Sequence, residues 1–376
     1  MTITARSSKA MYLVPSHPPV GKEASASPAE VKRHMPPFRS SHAKGAGLAL
    51  VDLAGFIAAT TVAIHSTSWW TGIAAGGAAG IFVSLLFIVA HDACHGSLTP
   101  NRRLNALLGR VCFLPSLYPY SSWELGHNRI HHGWTNLRGR DYAWRPFDLL
   151  EYRALPRWRR ALERVYRTIP GVALYNAIEI WGKHMIWPRR EERPHLARTN
   201  GLDRLLVAGY GLGLVALALW QGANPIRAAA CAGLLPLALF HWLSGFVIFQ
   251  HHTHARVPWY ATREEWSFFR AQVAGTVHIR FPRWLGLLFH NIMEHGAHHA
   301  NPKIPLYELG AAQSRLEETY DADIVQVRWS LGDFRQQLRI CRLYDYAAHR
   351  WCDFDGRPRT SPLLGSAPVR STALAR

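Results

Sequence analysis

Long apolar runs alternate with polar, strongly basic stretches along this chain, and the runs come in two pairs. The first run, from about Gly47 to Ser66, is apolar apart from Asp52; the second, from about Thr71 to Ala90, is rich in Gly, Ala, Ile and Leu. Each approaches the roughly 20 residues that a helix needs to cross a hydrocarbon core. Only a few residues, Trp69 and Trp70 among them, lie between the two runs. That predicts a helical hairpin with its aromatic side chains at a membrane interface. The small residues of the second run let neighbouring helices approach closely. A second pair, about Leu205 to Trp220 and Ala228 to Phe249, is joined by the short turn Gln221 to Pro225.

Between the pairs the pattern changes. Leu104 to Tyr120 is apolar but broken by Arg110, Pro115 and Pro119, which suits a re-entrant or interfacial element better than a span. Farther on, Arg153, Arg157, Arg159, Arg160, Arg164 and Arg167 interleave with Leu155, Trp158, Leu162 and Val165, the pattern of a basic amphipathic helix on a membrane surface. Residues Val172 to Trp187 read as a further amphipathic or interfacial helix. The fold class is therefore all-α integral membrane, with four transmembrane helices in two hairpins and a cytoplasmic helical cap. Residues 1–45, rich in Pro, Ser, Ala and Lys/Arg, read as a disordered cytoplasmic tail, 46–330 as the membrane domain, and 331–376 as a C-terminal cytoplasmic tail.

Charge sharpens this picture. The chain has 43 Lys and Arg against 25 Asp and Glu, a formal net charge of +18. A balance that basic suits nucleic acid or anionic lipid. With no zinc finger, RNP motif or basic-region heptad, nucleic acid is excluded as a partner. Seven of the Lys/Arg lie in the first 45 residues, whereas the two short turns carry almost none. The positive-inside rule then puts both termini and the middle loop in the cytoplasm. No charged segment leads into a short apolar one at the N-terminus, so no cleavable signal peptide is expected. The five cysteines are scattered and form no CxxC, which argues against a disulfide framework or a cysteine-bound zinc.

The candidate chemistry lies in the histidines. Of 21, twelve fall in four clusters: His91 and His95; His127, His131 and His132; His251, His252 and His254; and His295, His298 and His299, preceded by His290. His91 and His95 are one helical turn apart and share a face. The hairpins bring the first and third clusters to the cytoplasmic ends of the spans, and the loops bring the second and fourth to the same side. Neutral imidazole ligates iron, copper, zinc and nickel. So many imidazoles exceed what one metal needs, and carboxylates are sparse, with only Glu124 in a Glu-x-x-His arrangement with His127. An all-histidine or nearly all-histidine dinuclear site is expected. Asp92, Asp141 and Glu294 lie beside or shortly after the clusters and are candidates to orient imidazole ligands.

At these motifs the sequence resembles the membrane fatty-acid desaturases, in particular the bacterial and plant delta-12 (omega-6) acyl-lipid branch. His91 to Gly96 looks like the first histidine box, and WELGHNRIHHGWTNLRGRDYAWRP from Trp123 looks like the second with its trailing loop. The segment QHHTHARVPWY from Gln250 is similar to the branch's His-Thr-His-Pro segment, and HNIMEHGAHH from His290 looks like the third box. The resemblance implies two iron ions with dioxygen as co-substrate, and a mushroom-shaped fold in a bacterial inner membrane with the active site cytoplasmic. It carries ligand roles to His91, His95, His127, His131, His132, His295, His298 and His299, with His252 favoured and His254 the alternative from the remaining cluster. The implied substrate is an acyl chain of a membrane lipid, oleoyl going to linoleoyl. The family's cytochrome b5 module is absent, so the electron donor is expected to be external, a ferredoxin.

The second box departs from the branch in having three residues, not two, between its first His and its His-His pair. Alkane-hydroxylase relatives share that spacing, so hydroxylation of an alkyl chain or carotenoid is the alternative activity. A histidine-lined metal transporter is a further alternative, which would put polar residues inside the spans.

Overall fold

A computed structural model describes residues 26–364 except 36, 189, 191 and 197. Its short first helix, α1 (Pro28–Arg33), is closed by a capping box between Ser27 and Glu30. Next come α2 (His42–His65), capped by Ser41, and α3 (Trp69–His95), which stops at Gly96 in the left-handed conformation (φ 68°) that glycine adopts without strain. Then follow α4 (Arg102–Phe113), α5 (residues 120–134), α6 (Leu149–Ala154), α7 (Arg157–Tyr166) and α8 (residues 171–186). The long helices α9 (Asn200–Gln221) and α10 (Pro225–His252) complete the apolar set. By length and composition, α2, α3, α9 and α10 can each cross a membrane.

These four helices cover the four expected apolar runs, their ends falling within about five residues of the expected limits. Close approach depends on small residues. A methyl at Gly76 would collide with the Cys231 carbonyl of α10, and one at Gly55 with the Phe82 ring of α3. The turns at the far ends also meet, since the Arg227 guanidinium donates to the Ser66 carbonyl.

Beyond α10 the chain folds into a polar-sided layer over the ends of α3 and α10. It comprises α11 (Phe269–Val273), β1 (Val277–Arg280), α12 (Arg283–Leu288), α13 (His295–Ala300), α14 (Leu309–Tyr320), β2 (Val325–Arg328), α15 (Leu331–Ile340), β3 (Leu343–Asp345) and β4 (Arg350–Cys352). β1 and β2 pair in parallel, β3 and β4 antiparallel.

Three expectations are revised. The part of the N-terminal tail that is described holds α1, whose Val31 is fully buried; residues 1–25 lie outside the described residues. Residues 331–364 are packed structure as well: Phe334 of α15 meets Phe246 and Phe249 of α10, and buried Trp351 donates to the Val257 carbonyl at 3.1 Å. The basic amphipathic stretch breaks at Pro156 into α6 and α7, since proline cannot continue a helix. Its Arg159 turns inward to Glu163 and Glu179, and Arg167 is buried over the Trp144 ring. Arg153, Arg157 and Arg164 remain exposed, as does Trp158.

Candidate metal centre

The second cluster shows how local backbone form selects ligands. Residues Glu124–His131 form a π-helix, and the His132 N–H donates to the His127 carbonyl five residues back. In that wider turn His127 and His132 meet edge to face, their Nε2 atoms 3.1 Å apart, while the His131 Nε2 turns to His252 instead. The extra residue of this box is thus absorbed by the backbone. π-Turns inside helices are frequent at functional sites.

Nine imidazoles, all buried except the half-buried His132, sort into two groups. One has His91, His95, His127, His132 and His298; the other has His131, His252, His295 and His299; within each, the candidate ligand atoms lie within 4.8 Å of one another. In the first, His91 Nε2 is 2.8 Å from His127 Nε2, and His298 Nε2 is 3.1 Å from His132 Nε2. In the second, His252 Nε2 is 3.1 Å from His131 Nε2 and 2.9 Å from His295 Nε2. Two nitrogens each about 2.1 Å from one ion and at right angles would lie about 3.0 Å apart. His95 Nε2 and His299 Nε2 are buried with no hydrogen-bond partner, as nitrogens reserved for a cation would be. The donor set therefore fits two metal ions.

Supporting side chains hold these rings. Asp141 receives His131 Nδ1 at 3.1 Å on each oxygen, together with the Asn136 and Ala143 N–H groups. Asp92 lies 3.3 Å from His91 Nδ1 and accepts the Leu306 N–H at 2.6 Å. Glu294 differs: it precedes α13, its Oε2 is buried without a partner, and burial raises its pKa. His254 stands outside both groups, its Nδ1 accepting the Arg256 N–H at 3.1 Å. His251 stacks on His295 with centroids 3.8 Å apart. His290 is turned away, its Nε2 2.7 Å from Asp52 Oδ2 of α2. Of the solitary histidines, His184, His241 and His278 meet Glu192, Asn176 and Glu317.

Sequence reading missed Gln272 of α11. Its Oε1 lies 2.5 Å from His299 Nδ1 and accepts from Thr135, and its amide donates to the His132 carbonyl at 2.5 Å. It therefore fixes the tautomer of a ring in one group and holds the backbone of a ring in the other. A lone amide in an apolar stretch has no spacing to betray it.

Burial, reinforced by neighbouring imidazoles, holds the pKa of His127, His132, His295, His298 and His299 well below the usual histidine value, the neutral form that ligation needs. The sign for stability follows. Below about pH 6.5 the unfolded chain takes up protons that the native chain refuses, so stability present above that pH is lost as it falls. Each such histidine contributes about 1.4 kcal/mol per pH unit. Metal-free protein is expected to show a steep fall in melting temperature between pH 7 and 5 in detergent, and a flat profile would contradict this buried neutral state.

An apolar cavity of about 280 Å³ ends against both groups. Phe87, Ile88, Trp123, Phe240 and Val247 form much of its wall, with His91, His127, His131, His252 and His295 at its inner end.

Comparison with known proteins agrees with this geometry. Residues 67–330 match the family model described as fatty acid desaturase. The chain is 29% identical over 277 residues to the chloroplastic omega-6 fatty acid desaturase of Glycine max, covering 73% of this chain and 61% of that protein. The chain thus spans less than two thirds of that plant relative. It is 30% identical over 281 residues to the sn-1 oleoyl-lipid 12-desaturase of Picosynechococcus sp., covering 73% and 77%. Against the sn-1 oleoyl-lipid 12-desaturase of Synechocystis sp. it is 30% identical over 303 residues, covering 80% and 81%.

Proposed function

Because this chain belongs to the fatty acid desaturase family, we propose that it is a di-iron enzyme introducing a cis double bond into an acyl chain of a membrane lipid, converting oleoyl to linoleoyl. The observation that carries this reading is the pair of histidine groups closing an apolar cavity. His91, His95, His127, His132 and His298 would hold one iron, and His131, His252, His295 and His299 the other. When bound, the irons supply the dioxygen-dependent redox chemistry that an unactivated methylene requires and that side-chain acids and bases cannot provide.

The chain's own residues bind, orient and exclude water. Phe87, Ile88 and Trp123 keep the cavity apolar, so it suits an acyl chain, and a chain that fills it reaches the imidazole end. Asp92, Asp141 and Gln272 fix ring orientation from behind. The two hairpins are assigned to a bacterial inner membrane, and Lys/Arg asymmetry supports both termini and the helical cap lying in the cytoplasm. Reducing equivalents come from an external donor, a ferredoxin.

Expression in a host supplying oleate, oxygen and a ferredoxin system is expected to yield linoleate in phospholipid, read by gas chromatography of fatty-acid methyl esters. A hydroxylated product without any diene would move the protein to the hydroxylases and overturn the desaturase reading. The extra residue of the second box leaves ligand convergence intact, because the π-helix takes it up.

A further inference from the structure

The segment between β1 and the fourth histidine cluster is unusual for a piece of polar layer. Its helix α12 exposes Trp284 (66%), Leu287 (59%) and Leu288 (50%) on one side, while Leu285, Gly286 and Phe289 line the apolar cavity on the other. Six residues thus separate the cavity from the surroundings. Large apolar groups clustered on a surface mark a contact with another apolar phase.

Depth identifies that phase. His290, two residues past α12, pairs with Asp52 of α2. Helices α2 and α3 run antiparallel, Gly45 meeting Leu98 and Gly55 meeting Phe82. Asp52 therefore lies roughly one helical turn to the membrane side of His91. Its neighbours Leu50 and Val51 are 65% and 67% exposed, as lipid-facing residues of a span would be. The His290–Asp52 contact thus pins the α12 segment at bilayer depth, below the level of the imidazoles.

Charge completes the surface. Arg280 and Arg328 are register partners at the ends of β1 and β2, so their side chains share a face, and Arg283 opens α12. Arg280 reaches Glu317 at 3.1 Å yet remains half exposed, and Arg283 and Arg328 are exposed. Trp329 follows directly, stacks on Phe281 and belongs to the cavity wall. Guanidinium groups flanking an apolar port suit the two parts of a glycerophospholipid, its phosphate and its acyl chain.

We propose that residues 280–291 form a lateral entry port: α12 is inserted in the leaflet on the metal-centre side, Arg280, Arg283 and Arg328 bind the lipid phosphate, and the acyl chain passes α12 into the cavity. This deepens, and rests on, the acyl-lipid reading.

Two measurements on full-length, iron-loaded protein in phosphatidylglycerol-containing nanodiscs test it. The five native cysteines are buried, so a nitroxide on Trp284→Cys labels selectively. Its relaxation is expected to respond to oxygen, which concentrates in the bilayer, and little to a water-soluble nickel chelate; preferential response to nickel overturns the insertion. The triple change Arg280→Gln, Arg283→Gln, Arg328→Gln is expected to raise KM for oleoyl-phosphatidylglycerol about tenfold or more, with kcat within about twofold and iron content unchanged. An unchanged KM overturns the phosphate role. A wild-type protein that converts no phospholipid acyl chain sinks the acyl-lipid reading and the arginine role with it, while the nitroxide still decides where α12 lies.

Discussion

Replacing His252 with Ala is expected to leave about one iron per chain and no turnover, whereas His254→Ala keeps both irons and the activity. The two residues are neighbours in one cluster, and their difference is purely geometric. His252 Nε2 faces His131 and His295 at 3.1 and 2.9 Å, so its loss cuts a group of four to three. His254 sits just past the end of α10 and satisfies a backbone N–H instead. Elemental analysis of detergent-purified protein, paired with a turnover assay, reads both quantities. Equal iron in the two variants, or turnover by His252→Ala, would break the four-histidine assignment.

Asp141→Ala is expected to be the most damaging of the carboxylate changes. It orphans the His131 ring N–H and the Asn136 and Ala143 amides, all buried. At roughly 1–3 kcal/mol for each unsatisfied buried donor, the total rivals the whole stability of a typical domain, about 5–15 kcal/mol. The protein should accumulate poorly, melt early and lose iron from the four-histidine group. Asp92→Ala strands two donors, one of them at a long 3.3 Å, and should cost less. Glu294→Ala should cost least, since one of its oxygens is buried without a partner. Melting temperature and iron content across the three variants give the ranking, and Glu294→Ala as harmful as Asp141→Ala would refute it.

Much of this architecture is legible in the residues because it follows from one-dimensional pattern. Four apolar runs of spanning length became four helices within a few residues of their expected ends. The histidines were recognisable as a set because ligands on helices recur at three and four positions. How they divide was not legible. His131 and His132 are adjacent in sequence but belong to different groups, and only the π-helical turn decides which faces which. Gln272 and the Asp52–His290 contact were hidden for another reason: each joins residues far apart in the chain, and no local spacing announces them. The C-terminal region misled because its polar composition resembles a tail, although Phe334 and Trp351 anchor it in the core. Glu294 shows the opposite failing, since adjacency to a histidine did not make it that histidine's partner.

The two adjacent histidine pairs, His131–His132 and His298–His299, each send one ring to either group. Consecutive Cα atoms across a trans peptide are about 3.8 Å apart and cannot stretch. Two dipeptides therefore act as rungs of a ladder between the two histidine groups, and covalent geometry sets the backbone length of each rung. The rings at the ends of α3 and α10 are mounted differently, on helices that tilt and slide as a bilayer thins or thickens. Such movement perturbs the rails at His91, His95 and His252 but leaves the rungs their length. The centre is built to hold its gauge in a solvent whose thickness is not constant.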